Sequence, residues 1–432
     1  MAKRENSLLI KNGRVIDPLA RIDAEMDVLL RDGLVLEVAP RGKVRGGADE
    51  SINAKGLIIA PGFIDLHVHL REPGQSHKET VATGTAAAAA GGFTSVCTMP
   101  NTAPVNDSPE ITAWLLAPDR AAVVNVFPIA AATVASQGQQ LTDYRALQRA
   151  GAVAVSDDGR PILEDNIMRE ALAAAARAGI PVIQHAEDSA MTAGASMNEG
   201  ATAFRLGLRG WPADAESRIV ERDVALARST GAHLHVAHVS TAAALRAVRK
   251  GRKDRVRVTC EVTPHHFTLL DESVGEYDTR FKMNPPLRSA ADREALLAGL
   301  ADGSVDAIAS DHAPHAAHEK NVEFEQAAFG IIGLETALGL AITKLHREKH
   351  VAMSRVIELL STNPARILGF INRGTLAKGS IADLTIFDPA RRWTFHAADS
   401  RSKARNTPFD GWQLYGKCLV TIVAGRVIFR TE

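Results

Sequence analysis

The sequence predicts an α/β fold: a (β/α)8 TIM-type barrel with a smaller β-sandwich domain that both chain ends build together. Between residues 61 and 371, short apolar runs alternate with Ala-rich, helix-favouring segments, as is typical of parallel strands buried between helices. Eight such runs occur, the number at which a parallel sheet closes into a barrel. With 432 residues, the chain is long enough for this barrel and a second, smaller unit.

The eight candidate strands share an apolar run that ends in polar residues. They are FIDLHVHL, FTSVCTMP, AVVNVFPIA, AVAVSDDG, IPVIQHAED, HLHVAHVS, VRVTCEVTPHH and VDAIASDHAPH. A doubly wound open sheet is the rival arrangement, but no G-x-G-x-x-G segment is present to open a dinucleotide crevice. We therefore favour the closed barrel.

The two chain ends show the alternation of β-strands, broken by Gly and Pro and without a helical period. Each end alone offers too few strands to bury a sheet face. We therefore predict one composite β domain from residues 1–60 plus 372–432, and a barrel over residues 61–371.

Composition indicates work on a small molecule. Lys and Arg total 50 and Asp and Glu total 50, so the net charge gives no sign of a nucleic-acid or membrane partner. No run approaches the ~20 apolar residues of a membrane span. The first residues turn polar before an apolar run of signal-peptide length appears, and three scattered cysteines fit a reducing compartment. We expect a cytoplasmic location.

Side chains that can bind a metal fall at the ends of the candidate strands. They are His67 and His69 on the first strand, Asp157 and Asp158 on the fourth, His185 on the fifth, His238 on the sixth and Asp311 on the eighth. The carboxyl ends of all barrel strands open on one face, so these residues converge there. Imidazole and carboxylate are ligands that zinc takes. The pattern predicts a divalent metal site.

Some positions stay open on residue type alone. Asp157 and Asp158 are neighbours, so only one of them can point into the barrel from a strand. His233 and His235 lie earlier on their strand than His238, and we interpret them as internal, hydrogen-bonded histidines.

Polar residues near the same strand ends suit an acidic substrate. Arg71 follows the first strand, Asn101 follows the second, and Asn284 with Arg288 follows the seventh. An Arg at a barrel mouth can fork onto a carboxylate, while Asn amides orient the remaining oxygens. These residues predict recognition of a carboxylate-bearing small molecule.

Ten motifs in the chain resemble, in order and spacing, those of class I bacterial dihydroorotases of the amidohydrolase superfamily. They are HVHLREPG, MPNTAPVND, SDDG, QHAED, HVS, EVTPHHF, KMNPPLR, SDHAPH, FGIIGLET and TNPARILG, and the match runs from about Asp65 to Gly369. One departure is AFGI, where the family often has PFGI, in the loop after Asp311. It puts the stiffness of that loop in doubt.

The resemblance implies the reversible cyclisation of N-carbamoyl-L-aspartate to (S)-dihydroorotate in de novo pyrimidine (UMP) biosynthesis, with one or two Zn²⁺ ions per subunit. It implies a homodimer and an association with aspartate carbamoyltransferase. The metal ligands that it implies are His67, His69, Asp158, His185, His238 and Asp311. Asp311 would also be the catalytic residue. The implied substrate contacts are His69, Arg71, Asn101, Asn284, His315, Phe329 and Gly330.

Two other functions compete with this interpretation. Hydantoinases and allantoinases of the same superfamily bridge two metals with a carboxylated lysine from the fourth strand, but no Lys lies between Lys78 and Lys250 here. A catalytically silent subunit that only scaffolds aspartate carbamoyltransferase would be expected to lose metal ligands, whereas this chain keeps every candidate position.

Overall fold

Strands occupy both ends and the centre of the chain in the structure, a computed structural model that describes residues 7–431. Residues 1–6, where the predicted β domain starts, lie outside the described residues. The strands are β1 (Ser7–Asp17), β2 (Ile22–Arg31), β3 (Leu34–Pro40), β4 (Glu50–Asn53), β5 (Ile58–Pro61), β6 (Phe63–Val68), β7 (Phe93–Thr98), β8 (Asn125–Ala130), β9 (Ala154–Val155), β10 (Val182–Gln184), β11 (Met197–Asn198), β12 (Gly210–Trp211), β13 (Leu234–Val236), β14 (Val258–Val262), β15 (Ala307–Ile308), β16 (Leu384–Thr394), β17 (Gln413–Val423) and β18 (Arg426–Arg430).

Helices fill the centre of the chain. They are α1 (Val81–Gly91), α2 (Pro109–Leu115), α3 (Tyr144–Ala150), α4 (Asp165–Ala178), α5 (Ser189–Thr192), α6 (Ala201–Leu206), α7 (Asp214–Thr230), α8 (Ala242–Lys253), α9 (Pro264–Thr268), α10 (Ala290–Asp302), α11 (Ala317–Lys320), α12 (Ala337–Ala341), α13 (Met353–Ile357) and α14 (Asn363–Ile367). Within residues 7–431, no helix combines the length and the apolar character that crossing a bilayer requires.

The barrel predicted from the eight apolar runs is present. Its strands lie in the order β6, β7, β8, β9, β10, β13, β14, β15, and neighbouring strands pair in parallel. A parallel bridge between Val68 and His312 brings the first strand against the last, and the His69 amide donates to the His312 carbonyl at 2.9 Å. Each of the eight strands falls within one of the predicted runs. All their carboxyl ends therefore open on one face of the molecule.

The helices begin where the sequence supplies caps. Thr80 accepts a hydrogen bond from the amide of Thr83 at the start of α1, and Ser289 accepts one from Asp292 at the start of α10. Helix α1 contains an Ala-rich run in which Ala87, Ala88 and Ala89 are buried and allow close packing. Gly92 ends this helix at a φ of 93°, a left-handed conformation that favours glycine.

Both chain ends join in a second sheet of eight strands, in the order β18, β17, β16, β5, β1, β2, β3, with β4 paired to β1. The ends meet where β5 and β16 pair antiparallel, with Ile59 opposite Ile386. This sheet encloses a core of its own, which includes Ile10, Val28 and Ile422. The predicted fold class is confirmed, whereas the domain limits of 1–60, 61–371 and 372–432 stay a prediction.

The sheet built from the two chain ends packs beside the start of the first barrel strands. The Phe63 and Phe387 rings lie 6.0 Å apart, and Thr385 Oγ1 donates to the Gly92 carbonyl at 2.6 Å. Since these contacts involve the amino ends of the strands, they leave the opposite mouth of the barrel free for a site.

Asp17 ties the two chain ends together. It is fully buried, and its Oδ2 accepts from Thr375 Oγ1 at 2.8 Å and from the Leu376 amide at 2.6 Å. We expect Asp17→Ala to lower the free energy of unfolding by about 1–3 kcal/mol, because two buried donors lose their acceptor. Denaturant titration followed by circular dichroism measures this change.

Asp23→Ala is the matched control, because Asp23 is half-exposed in its ion pair with Arg14. A pair of this kind contributes about 1 kcal/mol or less. If the two variants had the same free energy of unfolding, the buried hydrogen bonds of Asp17 would not stabilise the contact between the chain ends.

Candidate active site

A cavity of 170 Å³ lies at the carboxyl-end mouth of the barrel. It is lined by His69, Arg71, Asn101, Asp158, Gly159, His185, His238, Asn284, Asp311, Ala313, His315, Phe329 and Gly330. Every substrate contact that the family resemblance implies is among them, and so is every predicted metal ligand except His67. Arg288, which the sequence also suggested, does not line the cavity and donates instead to the Trp211 carbonyl at 3.0 Å. The structure thus brings together residues that lie as far apart in sequence as positions 69 and 330.

Asp158 stands at the centre of the predicted ligands. Its carboxylate oxygens lie 3.4 Å from His67 Nε2, 3.7 Å from His69 Nε2, 3.5 Å from His185 Nδ1 and 3.8 Å from His238 Nε2. The neighbouring Asp157 turns away and accepts hydrogen bonds from the amide and the hydroxyl of Thr133. Of the two aspartates, Asp158 is the one that faces the cavity.

Asp311 approaches the same histidines from the eighth strand. Its Oδ1 lies 3.2 Å from His69 Nε2 and 3.5 Å from His67 Nε2. Among the described residues, two groups of buried side chains are close enough together to hold a metal ion, one of His67, Asp158 and His238 and the other of His67, His69 and Asp311.

These residues fit a divalent cation. Ligand atoms on one tetrahedral zinc are separated by roughly 3.4 Å, given bonds of about 2.1 Å, and the contacts of Asp158 and Asp311 are of this size. His67 Nε2 is buried and has no hydrogen-bond partner, although it lies between the two carboxylates. A buried nitrogen without a partner is costly, and a cation would satisfy it.

The electrostatics of the cluster also favour a bound cation. Burial raises the pKa of the Asp158 carboxyl, but His67 and the other imidazoles outweigh that effect and hold it well below its usual value. The pKa of Asp311 is likewise lowered, because His67 and His69 outweigh burial. Burial lowers the pKa of His67, yet Asp158 and Asp311 together raise it well above the usual value. The two carboxylates therefore remain ionised and favour a positive charge beside them, either a protonated imidazole or a cation.

Three cavity residues have strained backbones. Arg71, His238 and Asp311 have φ values of 60°, 31° and 47°, in the left-handed region that side-chain-bearing residues rarely adopt. Such strain persists only where the surrounding structure imposes it, and it is concentrated at functional sites. Here it sets the direction in which each of these side chains leaves the barrel rim.

Glu261 is a site residue that the sequence reasoning missed. It is fully buried, and it accepts from His67 Nδ1 and from His235 Nε2, each at 3.1 Å. A carboxylate behind a histidine fixes the ring and leaves its other nitrogen for a metal. The signal that could have found Glu261 is an acidic residue inside the apolar run of β14, because an isolated charge is rarely buried without a partner.

Two more acidic residues orient the cluster. Glu187 accepts from His185 Nε2 at 2.9 Å and from Asn284 Nδ2 at 3.2 Å. Asp65 accepts from the amides of His67 and Ser310, which ties the first strand to the last, and burial raises its pKa to about 7. The position of Glu187, two residues after a predicted ligand, was the available signal for it.

Arg71 is a buried cation without an anion. Its Nε donates to the Pro314 carbonyl at 3.0 Å, and its Nη2 lies 3.3 Å from His315 Nε2. Within residues 7–431, no carboxylate oxygen lies within 4.0 Å of its guanidinium. Since the side chain lines the cavity, it is placed to receive a carboxylate from a ligand.

The remaining predicted contacts line the same cavity as Arg71. Asn101 bridges His69 Nδ1 at 2.9 Å and Asp158 Oδ2 at 3.1 Å, while the buried Oδ1 of Asn284 has no hydrogen-bond partner. His315 Nε2 donates to the Phe329 carbonyl at 2.8 Å. The cavity therefore offers polar groups of both signs beside the histidine cluster.

Comparison with known proteins finds relatives that cover nearly the whole chain. The Dihydro-orotase-like family matches residues 56–244. A dihydroorotase of Geobacter sp. (strain M21) is 50% identical over 425 residues, which cover 98% of this chain and 99% of that protein. A dihydroorotase of Anaeromyxobacter sp. (strain K) is 51% identical over 424 residues, covering 98% of this chain and 97% of the other.

Solved structures show the same architecture. An L-hydantoinase (dihydropyrimidinase) from Arthrobacter aurescens superposes with a TM-score of 0.86 at 25% identity, over 97% of this chain and 95% of the other. The likeness agrees with a barrel accompanied by a β-sandwich, the architecture of cyclic amidohydrolases. With about half of its residues identical to those of dihydroorotases over nearly its whole length, this chain belongs to the dihydroorotase family.

Proposed function

We propose that this chain is a zinc-dependent dihydroorotase, which interconverts N-carbamoyl-L-aspartate and (S)-dihydroorotate in de novo pyrimidine biosynthesis. The observation that carries the proposal is the unpaired, buried guanidinium of Arg71, in the same small cavity as the histidine and aspartate cluster. Carbamoyl aspartate brings two carboxylates: one reacts, and the other needs a cationic partner.

The residues that would hold one or two Zn²⁺ ions are His67, His69, Asp158, His185, His238 and Asp311. Bound zinc would polarise a carbonyl as a Lewis acid and would lower the pKa of its water to about 7. Both effects would be needed because a ring amide reacts slowly with water. Glu261 and Glu187 support the proposal, because they hold the rings of His67 and His185 from behind.

Asp311 would move the proton. During ring closure, its carboxylate accepts the proton of the ureido nitrogen as that nitrogen bonds to the side-chain carboxyl carbon. Asp311 then passes this proton to the departing carboxyl oxygen, which takes a second proton from solvent and leaves as water. In ring opening, the same carboxylate takes a proton from the attacking water and delivers it to the ring nitrogen as the C–N bond breaks. Its place on the cavity wall, held by His69, fits this role.

The other carboxylate would be held by Arg71, Asn101 and Asn284, with His315 assisting. The backbone at Phe329 and Gly330 closes this side of the cavity. With the substrate oriented in this way, ring closure becomes an effectively intramolecular attack in a fixed geometry.

The rival functions are less well supported. A hydantoinase-type site needs a lysine on the fourth strand, where this chain has Asp158, and a silent scaffold has no need of a complete ligand cluster. A homodimer, an association with aspartate carbamoyltransferase and a cytoplasmic location remain predictions from the sequence.

An activity assay separates the three functions. We expect the zinc-loaded chain to form dihydroorotate from carbamoyl aspartate, with a kcat/KM for dihydroorotate opening at least roughly 100-fold above that for hydantoin or allantoin. The reason is that these rings lack the carboxylate that Arg71 would bind. Preferred turnover of hydantoin or allantoin would favour those activities, and no turnover at all would favour the scaffold.

The proton-transfer role is tested by Asp311→Asn. We expect kcat to fall by roughly 10²- to 10⁴-fold, the usual contribution of a general base, while zinc content by elemental analysis stays near the wild-type level. Asp302→Asn is the control, because Asp302 is exposed in a surface ion pair with Arg249. A near-normal kcat in the Asp311 variant would remove the base assignment.

A further inference from the structure

Two lysines are buried beside the cavity without an anionic partner. Lys282 and Lys320 are 1% and 4% exposed, and within the described chain neither lies within 4.0 Å of a carboxylate oxygen. Burial lowers the pKa of Lys282 to about 8 and that of Lys320 to about 7. Buried lysines are rare because the charged form loses its hydration, so a specific set of contacts must compensate for this loss.

The hydrogen-bond acceptors of both ammonium groups are all backbone carbonyls. Lys282 Nζ donates to Phe324 O at 2.7 Å and to Glu325 O at 2.9 Å. Lys320 Nζ donates to Ala328 O at 2.7 Å, and to Gly330 O and Lys282 O at 3.2 Å. Four of these five carbonyls belong to residues 324–330, which we call the clamped segment. Hydrogen bonds from an ionised donor are about twice as strong as neutral ones.

The clamped segment carries one wall of the cavity. The Phe329 ring lies 4.3 Å from Lys282 Nζ, within cation–π range, and the Phe329 carbonyl accepts from His315. The Gly330 amide donates to Lys282 O at 3.0 Å, and the Gly330 carbonyl accepts from Asn406 Nδ2 as well as from Lys320. The two lysines therefore fix the Phe329–Gly330 peptide relative to the substrate side of the cavity.

No regular secondary structure holds the clamped segment in place. Helix α11 before it spans only four residues, and no strand or helix lies between Lys320 and Ala337. Glu319 accepts from the Ala328 amide through its backbone carbonyl and pairs with Lys78 through its side chain at 2.7 Å. Lys282 is two residues from Asn284. The backbone here therefore carries one predicted substrate contact, Asn284, and hydrogen-bonds to another, Gly330.

We propose that Lys282 and Lys320 are positioning residues for substrate, which hold residues 324–330 so that the Phe329–Gly330 peptide and His315 face the bound ligand. The effect on substrate rests on the proposed dihydroorotase function. The two lysines act through the backbone they hold and touch no reacting atom.

The test uses Lys282→Met and Lys320→Met in the zinc-loaded, full-length protein. We expect hydrogen exchange of the amides in 324–330 to accelerate at least about 10-fold, while exchange in the barrel strands is unchanged. The KM for dihydroorotate should rise about 10-fold and kcat should fall by less than about 3-fold, because binding geometry is lost and the catalytic cluster is not. Lys320→Arg keeps an ionised donor and should restore part of the lost affinity.

Lys344→Met is the control, because Lys344 pairs with Glu348 at the surface at 2.8 Å. Unchanged exchange and unchanged KM in both Met variants would overturn the proposal, and so would faster exchange across the whole chain. If Lys320→Met does not fold, Lys282→Met and Lys320→Arg decide by the same readouts. If the wild type does not open dihydroorotate, the proposed function fails, whereas the exchange experiment still decides whether the lysines hold the segment.

Discussion

The structure depends on one constraint: imidazoles and carboxylates from distant segments are crowded into a buried space where their charges must be balanced. At the mouth of the barrel, Asp158 lies within 3.8 Å of four histidine rings, and Asp311 lies within 3.5 Å of two of them. In a low-dielectric interior, such a cluster is stable only when protons or a cation neutralise the carboxylates. Closure of the eight-stranded sheet makes the crowding unavoidable, since every strand delivers its last residues to the same rim.

Carboxylates behind the cluster fix the orientation of its histidine rings. Glu261 holds His67, Glu187 holds His185, and Asp65 bridges the first and last strands. These bonds fix ring orientations before any ligand arrives, so less freedom is lost when a ligand binds. On the substrate side, Arg71 contributes a positive charge that no described carboxylate pairs with. A cavity that combines anionic metal ligands with an unpaired cation suits an anionic substrate that binds beside a divalent ion.

The sequence was sufficient to predict the barrel and the residues at its strand ends, because both follow from periodic rules. His315, Phe329 and Gly330 were predicted only from the family resemblance. Each apolar run became a strand, and a residue at a strand end must lie at the mouth. It could not predict Glu261 or the lysines, whose roles depend on contacts between segments that no spacing relates. The choice between Asp157 and Asp158 likewise rested on family resemblance, since a shift of one residue reverses the face. The short pair β11 and β12 gave no signal, because two-residue strands have no period.

The central claim is that this cluster works by holding a divalent cation, and stepwise removal and return of metal tests it most directly. Purified protein is dialysed against a strong chelator until elemental analysis finds no transition metal, and zinc is then titrated back while dihydroorotate opening is measured. The account predicts that activity disappears with the metal and returns in proportion to zinc, saturating at one or two ions per chain. Full activity in demonstrably metal-free protein would contradict it.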